Sequence, residues 1–427
     1  MSTVGERLSG ATTFPKPARG NGLGQAYEMA NLERRFCMND RNIVQAFETS
    51  EYRARLDKVR ALMSNSGMDA LVVISKADQF YLLGCDAPDA SDYAVLVTLD
   101  DDPYFILRKM DADGATEAGC WLSKDRIIAY PESYVGGTDG KSVWEYIAQF
   151  IKSKVKASAR IGVEVSGLGV FSYRKLVATL GGQEPIDASD LVGACKVVKS
   201  ERELIYMREA ATIAERAILA GIDKIAVGAR HPDAVAATMS ALCAGTKSIP
   251  GGPGPFVYLR GGEFAKAPHQ QWKDDLFAAG QEYYLLCGAT RLQYPVALAR
   301  IAHVGPVAPH RKHRHEAGMA GFHAVVDAMR PGATCADVAR AYQGAIRPYG
   351  FIKEEGRFGY SLGLGFIDGP SLAFNNDTQI VANMTFHFES TFIDRDETYL
   401  LSDTVRVTDT GAELLTTVPR DLFERPV

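Results

Sequence analysis

Met384-Thr-Phe-His-Phe-Glu389, bounded by Asn383 and Ser390, is the stretch that decides how this 427-residue chain is read. A short apolar and aromatic run between polar breaks predicts a buried strand. Side chains alternate along a strand, so His387 and Glu389 share one face while Phe386 and Phe388 share the other. A His and a Glu together in a core segment need partners or a task. Two readings stay open from these residues alone, a structural hydrogen-bonded pair or a working pair in a cavity.

Composition narrows the classes. Hydrophobic residues make up 46% and charged residues 23%, as in globular proteins. A net charge of -5 and a pI near 6.0 argue against nucleic-acid and anionic-membrane partners. No apolar run is long enough to cross a bilayer, and the N-terminus lacks the order of a signal peptide, so the expected compartment is the cytoplasm. Seven cysteines without a Cys-x-x-Cys pair predict neither a disulfide framework nor a zinc site.

Taken in order, residues 1–47 read as an N-terminal arm without steady period. Residues 48–195 read as an α/β domain. Its first helix is opened by a capping Thr49 or Ser50, carries Leu56, Val59, Leu62 and Met63 on one face, and ends at Gly67. Strand-like runs follow at 70–74, 93–97, 104–107, 127–128 and 161–165, with helices near 142–153 and 170–180. Residues 196–427 form the second domain, entered through the capping box Ser200-x-x-Glu203. Inside it, Val227-Gly-Ala before Asp233 is echoed by Pro331-Gly-Ala-Thr before Asp337. Each copy predicts two helices and then β-rich sequence. The Gly- and Pro-rich Ser248–Pro255 reads as a solvent loop, and no Lys-Ser/Thr ending makes it a phosphate loop. His310, His313 and His315, set among Arg and Lys at a helix start, read as a solvated surface.

The C-terminal half resembles the pita-bread proteins, which include aminopeptidase P, prolidase, creatinase and ectoine hydrolase. The resemblance spans roughly residues 50–425 and implies an α/β N-terminal domain plus an α+β C-terminal pita-bread domain. In the metallopeptidase members two Asp, one His and two Glu hold two metal ions. Those positions fall here at Leu286, Ala297, Tyr360, Glu389 and Ser402, so one donor of five is kept. Leucine and alanine coordinate nothing, and one glutamate cannot hold two divalent ions. The expectation is a kept fold with no metal and no other cofactor.

The resemblance to the metal-free creatinase branch places a catalytic His at His269 and a catalytic Glu at Glu389. Four separated matches are similar to ectoine hydrolase: Ala267-Pro-His269 with Trp272, Arg357-x-Gly359-Tyr360-x-x-Gly363-Leu364, Met384–Phe388, and Pro419-Arg-x-Leu-Phe423. Tyr360, His387, Tyr294, Arg300 and Trp272 are carried as substrate contacts, with a structural salt bridge as the other reading of Arg300. Creatinase also implies a homodimer in which a loop of one subunit reaches the other's site. The matching stretch is Asp86–Asp92, which makes Asp89 and Ser91 further contacts for a cationic small molecule.

Without a metal, a neutral amide is a poor target for one His and one Glu, because general acid–base help contributes only about 10²- to 10⁴-fold. An amidinium or guanidinium carbon already carries the positive charge. The leading expectation is therefore a metal-independent C–N hydrolase acting on a small cyclic amidine or guanidino-type amino-acid derivative. The rivals are a catalytically inactive pita-bread domain that binds protein segments and, disfavoured by the lost ligands, a metal-dependent Xaa-Pro peptidase.

Overall fold

In the computed structural model the Ala70-Leu-Val-Val run is strand β1 (Ala70–Val73), buried along its whole length. The residues described are 45–86, 92–262, 265, 267, 270–353, 355–393 and 397–427. Strand β1 pairs antiparallel with β2 (Ala94–Thr98) and parallel with β5 (Ile161–Val163). Adding β3 (Tyr104–Arg108), β4 (Ile127–Tyr130) and β6 (Ile186–Asp187) gives a six-stranded sheet in the order β4-β3-β2-β1-β5-β6. Its strands are near-continuous apolar runs because helices cover both faces. Helices α1 (Thr49–Asn65), α2 (Lys76–Leu83), the single-turn α3 (Lys109–Ala112) and α6 (Leu191–Lys196) lie on the side built around Leu56, Val59, Leu82 and Val192. Helices α4 (Val143–Lys154) and α5 (Val170–Thr179) supply Trp144, Ile147, Ile151 and Leu176 to the other. Helix α1 departs from expectation at its start: Glu48 precedes it and no side chain caps it.

Ser200 opens α7 (Glu201–Ile222) with the expected capping box, its Oγ accepting from the Glu203 N–H while Glu203 Oε2 accepts from the Ser200 N–H. Helix α8 (His231–Ala244) and strands β7 (Phe256–Gly261), β8 (Glu282–Arg291) and β9 (Tyr294–Val304) complete the first half of this domain. The second half repeats the pattern. Helices α9 (Pro309–Ala328) and α10 (Cys335–Ile346) precede β10 (Arg357–Gly363), β11 (Phe366–Ala373), β12 (Thr385–Ile393) and β13 (Thr398–Val407). The strands form one sheet in the order β11-β10-β12-β13-β9-β8-β7, with β14 (Ala412–Leu414) on β13 and β15 (Phe423–Arg425) on β9. Helix α7 packs on β8 and β9, whereas α9 and α10 pack on β12 and β11. The helices take one face of the sheet, which leaves the other to face the N-terminal domain.

Charged groups buried at the join set how the domains meet. The Lys196 ammonium reaches Asp78 of α2 at 2.5 Å and Asp368 of β11 at 2.7 Å, with all three side chains buried. The Arg55 guanidinium of α1 meets Glu203 of α7 at 3.4 Å and lies 3.9 Å from the Phe47 ring centroid. Ala46 and Phe47, at the end of the expected arm, are themselves buried; residues 1–44 lie outside the described part. With α2 pinned this way, its Lys76, Ala77 and Phe80 wall a cavity whose other walls are the large sheet.

Candidate active site

Alternation along β12 creates the site. Phe386 and Phe388 turn towards α9 and α10, where Phe388 meets the Phe322 and Tyr342 rings at 6.0 and 5.5 Å. His387 and Glu389 therefore turn the other way, into a cavity of about 810 Å³ between the two domains. Their separation is 3.5 Å from His387 Nε2 to Glu389 Oε1, longer than a well-formed hydrogen bond. The imidazole is fully buried, and among the described residues neither ring nitrogen has a hydrogen-bond partner. A buried imidazole left so is costly unless a ligand or water completes it. Glu389 keeps 28% of its side chain exposed. Burial pushes its carboxyl up, but the adjacent His387 ring, Arg357 and Lys353 outweigh this and hold it below the ordinary glutamate range.

Tyr360 stacks on His387, with centroids 5.5 Å apart and planes 9° from parallel. Burial, with Glu389 nearby, holds its phenol well above the usual range, so the O–H stays a donor. Phe366 lies 5.8 Å from Tyr360 and 5.1 Å from Phe256. Tyr258 completes an aromatic bowl around the carboxylate. Such a bowl with an anion at its base favours a small, flat cation.

Two strained turns frame the bowl. The β8–β9 hairpin closes through Leu292 and Gln293 at φ 45° and 66°, and Phe366 follows Gly365 at φ 63°. Non-glycine residues at positive φ cost on the order of 1–2 kcal/mol each. What the hairpin strain places is Gln293, whose Nε2 donates to Asp86 Oδ1 at 2.7 Å across the cavity wall. Burial raises the Asp86 carboxyl, opposed by the Gln293 bond and by Lys76. Asp86, Gln293, Phe366 and Arg357 escaped the sequence reading as cavity residues. Leu-Gln carries no Gly or Asn to mark such a turn. Pro253 and Gly254, from the stretch read as a solvent loop, also line the cavity.

Three expected contacts lie elsewhere. Tyr294 is buried in the helix-side core, its O–H donating to Glu203 Oε1 at 2.7 Å. Arg300 is fully buried, bonding Asp403 at 2.9 Å and the carbonyls of Pro419, Val418 and Ser402. Strand parity explains both, since Tyr294, Val296, Leu298 and Arg300 share a face of β9 opposite to that of Pro295, which reaches the cavity. Trp272 is 40% exposed and lines no part of the cavity. His269, Asp89 and Ser91 lie outside the described residues. Among the flanks of His269, Arg260 Nε donates to the Ala267 carbonyl at 3.1 Å.

The positions of the family's metal ligands are close together in register. Glu389 opposes Ser402, Ser402 opposes Ala299, and Ala299 opposes Leu286. Leu286, Tyr360 and Glu389 line the cavity. Ala297 is buried, its backbone N–H and carbonyl both bonded to Thr404 Oγ1. Among the described residues no three His, Cys, Asp or Glu side chains gather as a metal ion would require, the His310–His315 run included. This donor set does not fit a pair of metal ions.

A doubled helix-pair-and-strand sheet facing a smaller α/β domain across a cavity defines the pita-bread fold. Residues 205–410 match the family described as Metallopeptidase family M24, and residues 55–198 match the Creatinase/Prolidase N-terminal domain. An uncharacterized hydrolase/peptidase of Sinorhizobium fredii is 32% identical over 88% of this chain and 97% of its own. The ectoine hydrolase of Halomonas elongata is 28% identical over 88% and 98%. Among solved structures, the Xaa-Pro dipeptidase from Bacillus anthracis superposes with a TM-score of 0.76 at 19% identity, over 88% of this chain and all of that one. The chain belongs to the creatinase/aminopeptidase P-like family of M24 hydrolases.

Proposed function

We propose that this protein is a metal-independent hydrolase of C–N bonds in small cyclic amidines or guanidino-type amino-acid derivatives. The observation that carries this reading is Glu389 alone among the family's ligand positions, set in an aromatic bowl where the other positions hold Leu286, Ala297, Tyr360 and Ser402. A cationic electrophile suits that site and a neutral peptide does not. The 28% identity to an ectoine hydrolase supports the same substrate class.

In this mechanism the Glu389 carboxylate accepts from the N–H groups of the amidinium, and the aromatic rings exclude water from its faces. Water attacks the central carbon and gives one proton to His269. His269 returns that proton to the leaving nitrogen, and the C–N bond breaks. The carbon keeps the oxygen as an amide, or as urea from a guanidinium, and the proton left on its hydroxyl passes to the departing amine, which leaves protonated. Tyr360 donates towards the attacking oxygen, while His387 shapes the pocket beside Glu389. The protein acts as a symmetric homodimer, with Asp89 and Ser91 of one chain near the partner's cavity. Incubation with ectoine, hydroxyectoine and creatine, followed by product identification, tests the substrate class. Release of a ring-opened amide or of urea is the expected result; no turnover of any of the three, alongside cleavage of Xaa-Pro dipeptides, would overturn it.

A further inference from the structure

Arg357, the first residue of β10, lines the cavity mouth and is exposed. Its guanidinium carbon sits 4.6 Å from the centroid of the Tyr360 ring. Among the described residues no carboxylate lies within ion-pair distance of it, and no hydrogen bond is made by its guanidinium. By contrast, Arg55, Arg291, Arg300, Arg311 and Arg314 each hold a carboxylate. Stacking on a ring holds the guanidinium plane while leaving its N–H edge free, the geometry that grips a carboxylate in a two-pronged bond. Tyr360 also stacks on His387, and beside His387 is Glu389. The cavity thus presents a cation and an anion among the same aromatic residues.

We infer that Arg357 is the carboxylate-recognition residue of this cavity, so that its ligand is a zwitterion. The carboxylate of the ligand docks on the Arg357 guanidinium while its cationic end meets Glu389. The cationic half rests on the function proposed above; the anionic half rests on Arg357 alone. The charge separation also selects against neutral amidines and simple cations, which leave Arg357 without a partner.

Calorimetric titration separates the two halves. The probes are ectoine, the same ring without its carboxylate (2-methyl-1,4,5,6-tetrahydropyrimidine), and L-proline, which has a carboxylate and no amidine. The wild-type protein is expected to bind ectoine about 10- to 100-fold tighter than the carboxylate-free ring, the range of a charge-assisted bond. Arg357→Ala should lose that difference, and Arg357→Lys should recover it in part. Equal wild-type affinities for the two rings, an equal loss for both in Arg357→Ala, or no wild-type binding of either carboxylate probe overturns the assignment. Binding of L-proline through Arg357 without any binding of the carboxylate-free ring would instead sustain Arg357 and overturn the amidinium reading.

Discussion

The charge of Glu389 rests on a balance of two opposed effects. Burial favours the neutral acid, but His387, Arg357 and Lys353 together keep the carboxylate the stable form. A group whose folded pKa is depressed stays charged until the pH falls through that lowered value. Affinity for the carboxylate-free amidine, whose own charge is constant in acid, should hold from neutrality to below the ordinary glutamate value of 4.5. Titrations across that span check it, and a midpoint near 6 would show that another group controls binding. Glu389→Gln keeps the shape and removes the charge. Turnover of the cationic substrate should fall by roughly 10²- to 10⁴-fold with the fold intact by circular dichroism. A variant retaining more than a tenth of wild-type activity would remove Glu389 from the mechanism. At this scale the sequence was informative where alternation ruled, as at His387 and Glu389. It was silent on Gln293 and Phe366, whose places depend on positive-φ backbone that their residue types do not announce.

Strands and helices bring these residues together, and the joints between them are electrostatic. Lys196 at the end of α6 neutralises Asp78 of α2 and Asp368 of β11 at once. Removing it takes the bridging cation from two buried carboxylates and leaves Lys199 near Asp368, and breaking a buried pair costs about 3–5 kcal/mol. Lys196→Met should lower the unfolding free energy by about that much in urea titrations. Adding Asp78→Asn and Asp368→Asn should restore much of it. A loss below about 1 kcal/mol would mean that water or rearrangement already serves the carboxylates. The element reading was largely available beforehand: the strands of the α/β domain, the Ser200–Glu203 cap and the doubled helix pairs all follow from local pattern. The assignment of Tyr294 and Arg300 to the substrate went astray because the period of two was not applied along β9. With Pro295 on the cavity side, both neighbours of even number must face the helices.

At the scale of the whole molecule, a cavity shared by two domains makes domain contact part of the proposed catalysis. No helix among the described residues is long and apolar enough to cross a membrane. The homodimer proposal makes a plain demand, a solution mass of two 46.4-kDa chains by light scattering. If the site is shared, mixing His269→Ala with Asp89→Ala subunits should restore activity at one of the two sites. A fully active monomer would end that proposal. The overall architecture was legible because the two halves repeat and the family pattern spans nearly the whole chain. The substrate was not, since the residues that bound the cavity come from five separate stretches, 76–86, 253–258, 286–295, 357–367 and 387–389. The most direct measurement is turnover of cyclic amidine and Xaa-Pro dipeptide by one protein preparation, assayed after exhaustive chelation with elemental analysis and again after adding Mn²⁺, Co²⁺ or Zn²⁺. Amidine hydrolysis unchanged by chelation, with no dipeptide cleavage under any metal, is the predicted result. Dipeptide cleavage that appears only with bound metal, and amidine hydrolysis that never appears, would contradict it.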